Sequence, residues 1–147
     1  MARYQTWITT PLTRAAAFAE LSRFDRAAEW DPGVDEGSML TPEPVGLGSR
    51  FVLHARFLGR TLPLVYEVVD FEADTRIGLR AENAFVASDD TIRFETLGAG
   101  AEITYDARLR PKGLARIGSP LFALAFRRIG DRAAEGLRRH LNPDPSA

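Results

Sequence analysis

Ser119-Pro-Leu-Phe-Ala-Leu-Ala-Phe-Arg-Arg-Ile-Gly-Asp-Arg-Ala-Ala-Glu-Gly-Leu-Arg-Arg-His-Leu141 is the stretch on which the fold turns. Ser119 followed by Pro120 is a helix-start signal: a capping side chain, then a residue whose fixed φ suits the first turn. Leu121, Ala125, Ile129, Ala133, Leu137 and Leu141 recur at helical spacing, with Phe122 and Phe126 alongside. Arg127, Arg128, Asp131, Arg132, Glu135, Arg138 and Arg139 take the other side, a solvated face. Asn142-Pro143 stops the pattern, and residues 142–147 read as a flexible tail. About twenty residues at 1.5 Å each make a rod of roughly 30 Å, long enough to cross a whole sheet.

Upstream the period is two, from Val34 to Arg110. Val34 to Leu40 is a strand candidate, punctuated by Thr41-Pro-Glu-Pro44 and Gly46-Leu-Gly48. Phe51, Leu53, Ala55 and Phe57 alternate with Arg50, Val52, His54 and Arg56. Leu62 to Phe71 is apolar on both faces. Ile77, Leu79 and Ala81 mark a further strand; Ile92, Phe94 and Thr96 mark another; Ile103, Tyr105, Ala107 and Leu109 mark the last. Short loops between them imply an antiparallel meander. Ahead of it, Arg3 to Thr9 reads as an opening strand with Tyr4, Thr6 and Ile8 on one face. Thr10-Pro11 reads as the cap of a helix over Leu12 to Leu21, with Leu12, Ala15, Ala16, Ala19 and Phe18 inward. Asp25 to Trp30 reads as a second short helical turn, closed by Asp31-Pro32-Gly33.

A strand, two short helices, six further strands and a long helix need more than one layer. A curved sheet wrapped around the long helix buries the inner stripes of both. Gly118, Ala125, Ala133 and Gly136 lie on or near the helix's inward stripe, facing Phe51, Leu53, Phe57 and Phe94. Two readings stand: these small residues leave an apolar pocket, or they allow tight helix–sheet packing.

The 147 residues suit one domain, 1–147. No cysteine is present, which removes disulfides, thiolate metal sites and a cysteine nucleophile. Two histidines cannot supply a three-histidine site, and the only lysine, Lys112, does not sit in a P-loop. No metal site and no cofactor are expected. Nineteen basic against 20 acidic residues give a net charge of −1, so no nucleic-acid partner is expected. No apolar run reaches the length of a membrane span, and the N-terminus lacks the apolar core of a signal peptide; the expectation is cytoplasmic.

The order of elements resembles the START-like (SRPBCC) helix-grip superfamily, and within it the polyketide cyclase/dehydrase and lipid-transport-like branch. The resemblance is carried by Ile8-Thr-Thr-Pro-Leu-Thr-Arg-Ala-Ala-Ala-Phe18, Glu29-Trp-Asp-Pro-Gly-Val34, Gly46-Leu-Gly-Ser-Arg-Phe51, Leu64-Val-Tyr-Glu-Val-Val-Asp-Phe71 and Gly136-Leu-Arg-Arg-His-Leu141. It spans about residues 3–141. It implies an α+β helix-grip fold: a curved antiparallel sheet of about seven strands around a long C-terminal helix, with two short helices after the first strand. It further implies that a small hydrophobic molecule, such as a lipid or polyketide, occupies a cavity between sheet and helix.

On these grounds the expected ligand-binding residues are Trp30, Phe51, Leu53, Phe57, Tyr66, Leu79, Phe94, Tyr105, Leu121, Phe122, Ala125 and Ile129. An alternative is a polyketide cyclase/dehydratase-type enzyme in the same cavity, with Tyr66, Tyr105 or Asp90 as candidate catalytic groups. A further alternative is a protein-interaction module of the same fold, whose sign would be an exposed apolar patch. Trp30 is read as a ligand contact or as an aromatic anchor of the short helix. Tyr66 and Tyr105 are read as buried phenols needing hydrogen-bond partners. Asp70 and Asp90 share inner-face parity, but their places near strand ends favour solvated loop carboxylates. Asp89 and Asp90, being adjacent, point to opposite sides of a strand and do not form a cation pair. His54, Arg80 and Arg93 are expected on outer surfaces, and His140, in the last turn of the long helix where a cation is favoured, as a structural or surface residue.

Overall fold

A computed structural model describes residues 2–57, 59–113 and 119–143. The chain runs β1 (Ala2–Thr10), α1 (Arg14–Ser22), a 3-10 helix (Phe24–Glu29), β2 (Val34–Met39), β3 (Arg50–Phe57), β4 (Arg60–Glu72), β5 (Arg76–Glu82), β6 (Val86–Leu97), β7 (Gly100–Pro111) and α2 (Ser119–Leu141). The seven strands form one curled antiparallel sheet in the order β1-β7-β6-β5-β4-β3-β2. The meander from β2 to β7 thus ends against β1, with Ile8 opposite Ile103 and Tyr4 opposite Ala107. No helix among the described residues is long and apolar enough to cross a membrane.

The sheet's inner face and the helices bury two groups of side chains. The larger holds Phe18, Leu21, Phe24, Trp30, Phe51, Ile77, Phe94, Ile103, Leu137 and Leu141. Its rings meet edge to face, Phe18 with Phe94 at 5.2 Å and Phe24 with Tyr66 at 5.0 Å, as the ring quadrupole favours. The smaller group holds Ala2, Val86, Leu109 and Phe122, with Phe57 and Phe126 packed on it. The helix α2 contributes to both, Leu137 and Leu141 to the larger and Phe122 to the smaller.

Several local expectations are corrected. The cap of α1 is Thr13, whose Oγ1 accepts from the Ala16 amide at 3.1 Å, not Thr10. Thr10 is still in β1, paired with Ala101, and its buried hydroxyl donates to the Leu141 carbonyl at 2.7 Å. The buried face of α1 is Ala17, Phe18, Leu21 and Ser22, whereas Leu12, Ala15, Ala16 and Ala19 are exposed. Phe18 and Leu21 are the large apolar side chains of that helix and set which way it turns. Strand β6 begins at Val86, well before the expected Ile92–Thr96 stretch, so Asp90 stands within a strand rather than in a loop.

The small residues of α2 divide. Gly136 serves close packing: a Cβ there would lie 1.9 Å from the Trp30 carbonyl oxygen. Gly130 rests on the Tyr4 ring, where a Cβ would come within 2.5 Å, and the Tyr4 hydroxyl donates to Asp131 at 2.8 Å. Gly118 lies outside the described residues. Gly136→Ala tests this. In an unobstructed helix the change gains about 1 kcal/mol, while overpacking costs about 1–3 kcal/mol, and backbone oxygen yields least. The expected net is a loss of about 1–2 kcal/mol in urea unfolding. A raised denaturation midpoint would show that the helix does not approach Trp30 this closely.

Candidate functional site

A cavity of about 160 Å³ lies between α2 and the sheet, lined by residues of both apolar groups. Phe126, Ile129, Gly130, Ala133 and Leu137 of α2 form one wall. Leu53, Phe57, Leu64 and Tyr66 from β3 and β4, with Val86 and Leu109 from β6 and β7, form the other. Trp30, Phe24 and Val34 complete it from the 3-10 helix and its exit. Small side chains line the void from both layers, Ala133 and Ala134 on the helix and Ala55 and Ala107 on the sheet.

The polar groups of this wall converge from three segments. Asp90 shares the inner face of β6 with Ser88 and Ile92 and is 7% exposed. Its Oδ1 accepts from Ser88 Oγ at 2.9 Å and its Oδ2 from the Tyr105 hydroxyl at 2.7 Å. Burial pushes the Asp90 carboxyl up to about 6; the Tyr105 and Ser88 hydrogen bonds oppose that rise, and the charge of Asp31 adds to it. Asp31, just after the 3-10 helix, is likewise pushed up to about 6 by burial, against one hydrogen bond from the Gly33 amide at 2.8 Å. Burial and the Asp90 charge push the phenols of Tyr66 and Tyr105 well above their ordinary range, so both remain neutral donors. Trp30 packs edge to face on Tyr105 at 6.1 Å and holds that ring in place.

A seven-stranded curled sheet, a long C-terminal helix and a cavity between them set the architecture, and comparison with known proteins decides the family. A family model described as polyketide cyclase / dehydrase and lipid transport matches residues 1–142. The chain belongs to that family. A solved START superfamily protein from Mycobacterium smegmatis superposes with a TM-score of 0.79 at 13% identity, covering 96% of this chain and 97% of that one. A protein from Thermus thermophilus gives 0.76 at 14% identity over 95% of both chains. Ginseng major latex-like protein 151 from Panax ginseng gives 0.70 at 10% identity, over 97% and 98%. Identities this low establish the fold only. No curated protein matches the chain in sequence.

Within this polyketide cyclase/dehydrase and lipid-transport fold, the residues singled out from sequence separate into two sets. Trp30, Leu53, Phe57, Tyr66, Tyr105, Ile129 and Asp90 stand on the cavity wall. Phe51, Leu79 and Phe94 do not; they are fully buried in the packed core. Phe122 is buried in the smaller apolar group, and Ala125 is half-buried on α2 away from the wall. Leu121 is 65% exposed, because Phe122 rather than Leu121 turns inward in the first turns of α2. Strand parity reports which face a residue is on, not how far along the sheet the cavity begins, so core and wall residues look alike in sequence. Asp90 is a buried wall residue, not a solvated one; Asp70 is half-exposed and paired with Arg76. Asp31 and Ser88 went unread, since Asp31-Pro32-Gly33 and Ser88-Asp89-Asp90 both look like turns. His54 is half-exposed beside Glu36, and His140 pairs with Glu20 at 2.8 Å; neither lines the cavity. Arg80 and Arg93 are exposed. Among the described residues no three His, Cys, Asp or Glu side chains gather as a metal site.

Two measurements follow from the acid network. The folded-state pKa of Asp90 stands above its unfolded value, so the fold binds that proton more tightly. Its contribution to stability is greatest below about pH 4 and is lost as pH rises through about 6. The stability of the native protein minus that of Asp90→Asn should therefore fall between pH 4 and pH 7, by about 2–3 kcal/mol. A difference that stays flat or rises would contradict the buried carboxyl. Separately, Tyr105→Phe removes a hydrogen bond to the charged form, so carbon NMR should show Asp90 titrating above its native value. An unchanged or lowered pKa would mean that the phenol does not hold this carboxylate.

Proposed function

We propose that the protein binds a small, largely apolar molecule in the cavity, with the molecule's polar end against Asp90, Tyr66 and Tyr105. The observation that carries this reading is an apolar chamber whose few polar groups converge from separate elements. The cavity volume, about 160 Å³, sets the scale. An apolar cavity of roughly 150 Å³ accepts a benzene ring, whereas pockets for drug-sized ligands run to about 300–1,000 Å³. One ring or a short branched chain fits as the structure stands; a sterol or a multi-ring polyketide requires α2 to move away from the sheet.

A second reading, general acid–base catalysis of the cyclase or dehydratase kind, is favoured by Asp90. A carboxyl held near 6 between two hydroxyls can take and return a proton close to neutral pH. Ring-sized binding is common to both readings and comes first in any test.

Methyl-resolved NMR with ethylbenzene as the probe tests it. Shifts are expected at Leu53, Val34, Ile129 and Leu137, which line the cavity, and not at Ile77 or Ile92, which lie in the sealed core. Ala133→Phe, which fills the chamber from α2, should abolish the shifts while the circular dichroism spectrum is retained. Shifts confined to surface methyls, or shifts that persist in the filled variant, would refute cavity binding.

A further inference from the structure

The charge of the cavity wall is lopsided. Among the described residues its ionisable carboxyls are Asp31 and Asp90, and its one cation is Arg56. Arg56 does not serve the interior: its Nη2 donates to the Pro32 carbonyl at 2.6 Å and its Nε meets Asp35 at 2.9 Å, with the side chain 58% exposed. Asp90 is satisfied by neutral hydroxyls and Asp31 by one backbone amide. A carboxylate has about four acceptor positions, so each retains unused ones. The two carboxyls also sense one another, each unit of charge disfavouring the next.

Elsewhere the molecule follows the usual rule that a dehydrated carboxylate meets a cation. Asp25 and Asp106, the carboxylates outside the cavity held largely out of water, each pair with an arginine. Asp106 is the informative comparison, because it too is 7% exposed, yet Arg3 clasps both of its oxygens at 3.0 and 2.8 Å. The cavity pair has no such partner among the described residues. A second feature points the same way. The Tyr66 hydroxyl, on a residue more than nine-tenths buried, sits beside Ser88, whose proton already goes to Asp90. Ser88 is the polar side chain that this hydroxyl meets, and it is neutral. The polar end of the chamber therefore offers carboxylate acceptors and neutral hydroxyls, but no cation. A metal ion would need more ligating groups than gather here.

We infer that the cavity selects an apolar molecule ending in a protonated amine, which supplies the cation that Asp90 and Asp31 lack, and that it rejects carboxylates. The inference rests on the cavity being a ligand site and adds the ligand's charge. An ammonium loses hydration on entry, and it recovers that loss only against a carboxylate already stripped of water by the fold. A fatty acid or other carboxylate would instead place a third negative charge beside two that already repel.

Three ring-sized probes differing only in the polar end test this: benzylamine, benzyl alcohol and benzoate, titrated by calorimetry at pH 7.5. Benzylamine is expected to bind about tenfold to a hundredfold tighter than benzyl alcohol, the range of a charge-assisted hydrogen bond, and benzoate weakest. Asp90→Asn and Asp31→Asn should each shrink the benzylamine to benzyl alcohol ratio; if the first variant does not fold, the second and the native series still decide. Equal binding of all three probes, or benzoate as the tightest, overturns amine selection and leaves the cavity reading intact. An amine preference that survives both variants also overturns it, since the amine then sits elsewhere. No binding by any probe at millimolar concentration overturns the cavity reading and this inference together.

Discussion

At Gly136 the backbone of α2 comes so near the Trp30 carbonyl that one added carbon would sit 1.9 Å from the oxygen. That approach fixes the C-terminal half of the helix against the exit of the 3-10 helix. The Thr10 hydroxyl on the Leu141 carbonyl and the Asn142 amide on the Thr9 carbonyl, at 2.8 Å, tie the same end to β1. Tyr4, beneath Gly130 and bonded to Asp131, fixes the middle. Further along, Phe122 with Phe57, 5.1 Å apart, rests the other end on a separate apolar group. A rigid rod held at both ends and in the middle cannot sag into the sheet, so the side chains between its supports decide what fills the gap. Ile129 and Ala133 are among them, and they leave it open.

The opening is costly, because cavities and dehydrated acids both oppose folding. A void costs about 24 cal/mol for each Å³, and a carboxyl displaced by about two pKa units costs on the order of 2–3 kcal/mol when ionised. An apolar side chain at position 90 and a larger one at position 133 would relieve both. Sites where local rules are broken without local compensation are where function is expected. Trp30 shows how the two demands are joined, since its carbonyl locates the helix and its ring locates Tyr105.

The architecture was legible because its signals are long. The alternation in Phe51–Phe57 and Ile103–Leu109, and the 3.6-residue stripe of α2, each repeat over several turns or pleats and survive small errors of phase. The site was legible only in part. Tyr66, Tyr105, Leu53 and Ile129 carry inner-face parity and lie on the wall, but Phe51 and Phe94 carry the same parity and lie in the core. Asp90 shares that parity too, yet Ser88-Asp89-Asp90 has the composition of a turn, and pairing with β5 and β7 draws it into a strand against its propensity. Asp31 had no periodic signal at all; its place depends on where the 3-10 helix ends, a boundary set by the tertiary contact with Gly136. The face of α1 went astray because Ala residues give no preference and two larger side chains chose for them.

An open, chiefly apolar chamber separates α2 from the sheet. Diffraction from a crystal pressurised with xenon tests it without any assumption about the natural ligand, since apolar voids of this size take up the gas. Xenon is expected in one internal position, between Leu53 on the sheet and Ile129 and Leu137 on the helix. A map with no xenon between helix and sheet, and side chains closed across that space, would contradict it.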